Sequence, residues 1–197
     1  MPELPLFPLR TVLFPGGLLP LRIFEPRYLD MVGRCMREGT EFGVLLIADA
    51  AGAETGPVAA LARIGTSASI VDFNALPDGL LGVMCRGVRR FRLQRHRVQA
   101  DGLHLGDVEW LADPAPSALE PEHRPLARVL RRVLQELGDT ARHLEADFDD
   151  ADWVSNRLAE FLPLERSAQQ QLLELDDPQE RMRALAPLIE VPPESAA

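Results

Sequence analysis

Lysine is absent from this sequence: all 21 basic residues among its 197 are arginine. A guanidinium keeps its proton in proteins, so any mechanism that needs a lysine amine is excluded for these residues. Cysteine is scarce. The two present, Cys35 and Cys85, are far apart and each sits in an apolar pattern. That argues against a disulfide scaffold and makes a reducing cytoplasm the expected location. Long hydrophobic runs are missing too. Stretches such as Val44 to Ala48 are far too short to span a bilayer. No basic segment followed by a long apolar run opens the chain, so neither a secretory leader nor a membrane partner is expected. No fixed-period repeat occurs, which argues against a solenoid.

Hydrophobic residues make up 46% of the chain, enough for a packed core. The formal net charge of −9 is unevenly spread. Residues 1–118 hold 12 Arg against 13 Asp and Glu, a net of −1, whereas residues 119–197 hold 9 against 17, a net of −8. An acidic surface repels phosphate backbones and anionic lipid, which lowers the expectation of nucleic-acid or membrane binding.

Proline cuts the opening apolar runs at positions 5, 8, 15, 20 and 26. Proline cannot donate to a sheet ladder, so the pattern predicts short strands and tight corners instead of a long central strand. Residues 4–23 read as two short strands around Phe14-Pro15-Gly16-Gly17. Residues 26–38 read as a helix, with Pro26 suited to its first position and Gly39 just past its end. Tyr28, Met31, Val32, Cys35 and Met36 would form its buried stripe. Strands are predicted at 42–48, 58–73, 80–86, 88–95 and 103–111, with a loop at 50–57 and a turn at Leu76-Pro77-Asp78-Gly79. Gly87 in a strand pattern suggests a bulge or bend.

Composition changes at Asp113-Pro114-Ala115-Pro116-Ser117. The expected organisation is α+β: a β-rich unit over 1–113 and an α-helical subdomain over 118–191. Leu126, Val129, Leu130, Val133, Leu134 and Leu137 form a helical stripe. An acidic connection at 139–150 precedes a helix carrying Val154, Leu158, Phe161 and Leu162. A further helix follows over 165–175. Asp177-Pro178-Gln179-Glu180 reads as the start of the last one, with Pro187 near its end and a frayed tail from 191.

Several stretches then resemble one family in order along the chain. Leu4-Pro5-Leu6-Phe7-Pro8-Leu9, Phe14-Pro15-Gly16 and Leu19-Pro20-Leu21 resemble the opening of the substrate-binding domain of Lon-type proteases. Ile23-Phe24-Glu25-Pro26-Arg27-Tyr28-Leu29 resembles a stretch typical of stand-alone bacterial members. Ile64-Gly65-Thr66 and Leu76-Pro77-Asp78-Gly79 resemble its central strands and turn, and Gly87-Val88 followed by Arg90-Phe91-Arg92 resembles its later strand. Leu158-Ala159-Glu160-Phe161-Leu162-Pro163-Leu164, Gln170-Gln171-Leu172-Leu173-Glu174 and Glu180-Arg181 resemble its helices. The resemblance implies a PUA-like β-barrel followed by a helical bundle. In full-length Lon an ATPase and a Ser-Lys protease follow. Without lysine these residues can form neither a G-x-x-x-x-G-K-[ST] phosphate loop nor a Ser-Lys dyad. A non-enzyme is therefore expected.

The chemistry-bearing residues are otherwise sparse. His96, His104, His123 and His143 show no zinc-ligand spacing, although His96 and His104 are placed to meet across a hairpin. The acidic run Asp147, Asp149, Asp150 and Asp152 lacks the glycine and distal glutamate of an EF-hand and fits the electrostatics of a helix start. No metal, cofactor or catalytic residue is expected. Arg86, Arg89, Arg90, Arg92, Arg95 and Arg97 put six arginines and no acid into 12 residues. Strand alternation sets Arg90 and Arg92 on the face opposite Phe91 and Leu93. The candidate interaction surface comprises Arg86, Arg89, Arg90 and Arg92 with Glu25, Arg27 and Tyr28. The favoured function is a binding module for a polypeptide client or a partner protein, protease-related ones included. The alternative is an RNA-binding PUA-like adaptor using residues 86–97. Overall acidity and the lack of interleaved aromatics weigh against it.

Overall fold

The structure, a computed structural model, describes residues 1–47, 61–138, 144 and 146–189. The chain divides into two compact units, Met1–Asp113 and Pro114–Ala197. The loop predicted at 50–57, residues 139–143 and 145 of the connection predicted at 139–150 (His143 among them) and the tail from 191 lie outside the described residues.

The first unit contains β1 (Glu3–Leu9), β2 (Leu18–Ile23), α1 (Pro26–Glu38), β3 (Phe42–Leu46), β4 (Ile64–Ala75), β5 (Leu81–Val98) and β6 (His104–Trp110). The strand order is β2-β5-β4-β3-β1-β6, and β5 pairs with β6 as well. Strand β5 meets β4 along residues 81–92, β2 along 81–86 and β6 along 91–98. The pairings of β5, β4, β3, β1 and β6 thus run round a closed ring, with β2 beside it. The sequence predicted two strands where β5 is one. Gly87 does not end it; the register shifts there instead, with Arg90 opposite Thr66 and Gly87 opposite Ala68.

Strand β1 is flanked on both sides despite Pro5 and Pro8, contrary to the expectation from its prolines. The two ladders are staggered. Strand β6 pairs with Glu3–Leu6 and β3 with Leu6–Leu9. The Ile47 N–H donates to the Leu9 carbonyl at 2.7 Å and the Val108 N–H to that of Pro2 at 3.0 Å. Odd residues of β1 therefore face β3 and even residues face β6. Pro5 lacks its N–H on the side where β3 has not yet begun. Pro8 lacks its own where β6 has already ended. Pro20 lies on β2, the edge strand, where a missing donor is tolerated.

Helix α1 starts with Pro26 and ends at Gly39, whose φ of 63° lets its N–H reach the Cys35 carbonyl. Its buried stripe is Tyr28, Met31, Val32 and Cys35, packed with Phe7, Phe42, Val44, Val83 and Cys85. Met36, predicted to join the stripe, is 38% exposed instead. A second cluster, Leu4, Leu6, Leu45, Phe91 and Val108, is built from strands of the ring. The segment before β2 lies against the sheet. The Gly16 N–H donates to the Gly87 carbonyl at 2.8 Å and the Gly87 N–H to that of Gly17 at 2.9 Å, and a Cβ on Gly87 would clash with the Phe14 carbonyl oxygen.

The second unit contains a short 3-10 turn (Pro121–His123), α2 (Arg124–Leu137), α3 (Ala151–Phe161), α4 (Arg166–Glu174), α5 (Pro178–Leu185) and a terminal 3-10 turn (Ala186–Leu188). Asp150 caps α3 by accepting from the Trp153 N–H, and Asp177 caps α5 by accepting from that of Gln179. Arg181 is buried. It donates to the carbonyls of Leu172 and Leu175 at the end of α4, and to Asp152 and Ser155 on α3. One side chain thus holds three helices in register. Arg157 is fully buried, 3.1 Å from Glu160.

Candidate functional site

A concave groove of about 580 Å³ opens beside the start of α1. Strand β1 contributes Phe7, Pro8 and Leu9, and β2 contributes Leu21. Phe24, Tyr28, Leu61 and Val98 continue the apolar lining. Phe24 is 65% exposed and Val98 51%. The opening sequence explains this locally. Pro26 begins the helix directly after β2, so Phe24 and Glu25 fall in the tight corner between them and Phe24 has no layer to pack under.

Polar groups at this groove are tied to one another. Arg27 lies 2.6 Å from Glu25 and donates to the Gly102 carbonyl at 2.8 Å. Its guanidinium also stands 4.7 Å from the centre of the Tyr28 ring. Tyr28 itself is buried against Phe7, with ring centres 4.0 Å apart. Burial pushes the Tyr28 hydroxyl pKa up, against the opposing pull of Arg27. His104 lines the groove and stacks on His96, with ring nitrogens 2.7 Å apart. Burial, then His96, then Arg27 lower the His104 pKa. The two histidines meet across the β5–β6 pairing, and their nitrogens hydrogen-bond one another.

The predicted surface residues separate into different environments. Glu25, Arg27 and Tyr28 come together at the groove. The arginines of β5 do not form one free face. Arg89 stacks 3.6 Å over Trp110 and stands 3.9 Å from Glu41. Arg92 lies 3.8 Å from Glu109, and Arg97 2.7 Å from Glu3. Arg86 is half-buried between Leu18 and Ser69 on the flanking strands. Two positions require correction. Arg90 is buried, not exposed on an outer face, because its cross-strand neighbour Thr66 is itself covered and bonded to the Leu13 carbonyl. Tyr28 is likewise buried, since it belongs to the inner stripe of α1.

The thiols are poorly suited to nucleophilic chemistry. Burial, with Cys35 nearby, holds the Cys85 thiol pKa up at about 12, and burial raises that of Cys35. Among the described residues, Glu120, Glu122 and His123 bring ligand atoms within 4.8 Å of one another. Sequence reasoning missed this group and the exposed Phe24. The only available signal for Phe24 was its place between a strand end and a helix-opening proline.

A family model described as the ATP-dependent protease La (LON) substrate-binding domain matches residues 3–191. The chain belongs to this family. Its fold is the α+β fold of the Lon N-terminal domain. A Lon N-terminal domain protein from Xanthomonas campestris is 42% identical with a TM-score of 0.79, over 96% of this chain and 100% of that one. The N-terminal domain of a Mycobacterium avium complex Lon protease shares the fold at 17% identity and a TM-score of 0.65, over 94% of this chain and 97% of that one. Among curated relatives, Lon protease of Cytophaga hutchinsonii is 26% identical over 95% of this chain, and Lon protease 2 of Herpetosiphon aurantiacus 29% over 93%. The chain spans only 24% and 23% of those two proteins' lengths. The match is to the substrate-binding domain and to no ATPase or protease module. Among the described residues no helix is long and apolar enough to cross a membrane.

Proposed function

We propose that this chain is a non-catalytic binding module, acting in the cytoplasm, that holds polypeptide segments of a client or partner protein in the groove beside α1. The observation that carries the reading is Phe24. It is a large apolar side chain, 65% exposed, in a concave site whose charged neighbours Glu25 and Arg27 are ion-paired with each other. Such a site gains free energy by burying apolar side chains and needs no titrating group. The family description, a substrate-binding domain, supports the same class of ligand. The closed ring of strand pairings supports a PUA-like barrel as the frame, with Pro114–Ala197 as a separate helical bundle.

The test is site-specific photo-crosslinking with a benzophenone amino acid at Val98, using cell extract and an unfolded model protein. Polypeptide adducts that a Phe24→Ala variant loses are the expected result. Adducts to RNA alone would overturn the reading. The ion pairs of Arg89, Arg92 and Arg97 leave the RNA alternative without a supporting observation.

A further inference from the structure

The groove beside α1 reaches β2 at Leu21 and Arg22. Successive side chains of a strand point to opposite faces, so a groove that touches both residues meets the strand at its margin and not on one face alone. That margin is open. Strand β2 ends the strand order and pairs with β5, and among the described residues no strand lies on its other side. The ladder fixes which backbone groups are free there. The Gly87 N–H donates to the Gly17 carbonyl, and the pairing runs on with Leu19 opposite Cys85, Leu21 opposite Val83 and Ile23 opposite Leu81. Bonded residues alternate in an antiparallel pair, so Leu19, Leu21 and Ile23 turn their N–H and C=O groups to β5, while Leu18, Pro20 and Arg22 turn theirs outward. The open margin therefore carries the N–H groups of Leu18 and Arg22 and the carbonyls of Leu18, Pro20 and Arg22. Pro20 removes one donor and leaves its carbonyl available.

The end of β4 is a useful contrast. It runs on to Ala75 beyond Ala68, where β3 stops pairing with it. There Asp72 Oδ1 accepts from the Phe73 N–H at 2.9 Å, and the register shifts between Ile70 and Asp72. A charged side chain on a backbone donor and a bulge both close an edge to further pairing. Strand β2 pairs in unbroken register from Leu18 to Ile23. A row of unpaired N–H and C=O groups is matched by the backbone of an extended chain. On the face of Leu19 and Leu21, which pack on the core cluster with Phe7 and Leu9, every second side chain of such a chain meets the apolar lining of the groove. Its alternate side chains point to solvent with Pro20 and Arg22, both exposed. We infer that a client segment binds in this groove as an added strand on the outer edge of β2. The inference rests on the polypeptide-binding reading and names the class of segment: unfolded, extended, with apolar residues at every second position. A segment locked as a helix has its N–H and C=O groups bonded internally and offers none to the edge.

The experiment titrates the full chain with a short labelled peptide of alternating Val and Thr around a central Phe. Two further versions carry N-methyl groups on alternate amides, one on the Val and Phe positions and one on the Thr positions. Each set blocks one edge of the extended peptide, and the apolar face fixes which edge meets β2. One set should therefore weaken binding about tenfold or more by anisotropy, and the other by less than about threefold. Amide hydrogen exchange of the full chain with and without an unfolded model protein is the second readout, and exchange at Leu18 and Arg22 should slow on binding. Equal effects of the two methylated sets with the parent peptide bound, or Leu18 and Arg22 amides that exchange no more slowly with the unfolded protein bound, overturn strand addition and leave polypeptide binding standing. If neither the parent peptide nor the unfolded protein binds, both readings fall.

Discussion

Truncating Phe24 should separate binding from folding. A fully buried aromatic covers about 150–250 Å², so the 65% of Phe24 still open to solvent leaves roughly 100–160 Å² for a ligand to cover. At about 25 cal/mol per Å² that is at most ~2.5–4 kcal/mol. Ordering each partner side chain costs about 0.5–1.5 kcal/mol, which leaves a net effect near ~2 kcal/mol, or about thirtyfold in Kd. Phe24→Ala should therefore weaken a fluorescently labelled apolar peptide about thirtyfold by anisotropy. Its unfolding free energy in urea should stay within about 0.5 kcal/mol of the parent, because little native packing is lost. Phe14→Ala is the contrasting control. Phe14 is fully buried, and its truncation should cost about 3–5 kcal/mol of stability. Unchanged peptide affinity in Phe24→Ala, with the peptide bound by the parent, would refute the reasoning.

Arg181→Met should lose about 3–5 kcal/mol in urea unfolding, because Asp152 and two carbonyls at the end of α4 lose their donor; a loss below about 1 kcal/mol would contradict the role given to Arg181. Gly87→Ala should cost about 1–3 kcal/mol or more, since the new Cβ meets backbone oxygen that cannot move aside cheaply; thermal denaturation checks it. His104 has a folded-state pKa below its ordinary value of about 6.5, so the unfolded chain takes up the proton first. Its contribution to stability is complete above that pH, declines as pH falls below it and stops declining beneath the folded pKa. His104→Asn should flatten this part of the stability profile, and an unchanged slope would count against the burial described.

Much of the first unit was legible in the sequence because its signals are local. Pro26 and Gly39 bracket α1, and the stripe from Tyr28 to Cys35 follows from helical spacing. In the second unit the cap Asp177 was readable for the same reason, whereas Asp150 was read only as one of an acidic run at a helix start and not as its cap. Pairing was not legible. Nothing local says that β1 joins β3 and β6 while β2 joins β5, and the tolerance of Pro5 and Pro8 depends on that stagger. The site was legible only in part. Glu25, Arg27 and Tyr28 were singled out, but alternation alone could not tell that Arg90 faces a covered side of the sheet.

The central claim is that the groove beside α1 takes polypeptide. The most direct measurement is amide and side-chain NMR mapping of the full chain titrated with an unfolded client protein. The account predicts saturable shifts concentrated at Phe24, Tyr28, Leu61 and Val98, displaced to about thirtyfold higher client concentration in Phe24→Ala. Shifts confined to Arg86–Arg97, or none at client concentrations that saturate crosslinking, would contradict it.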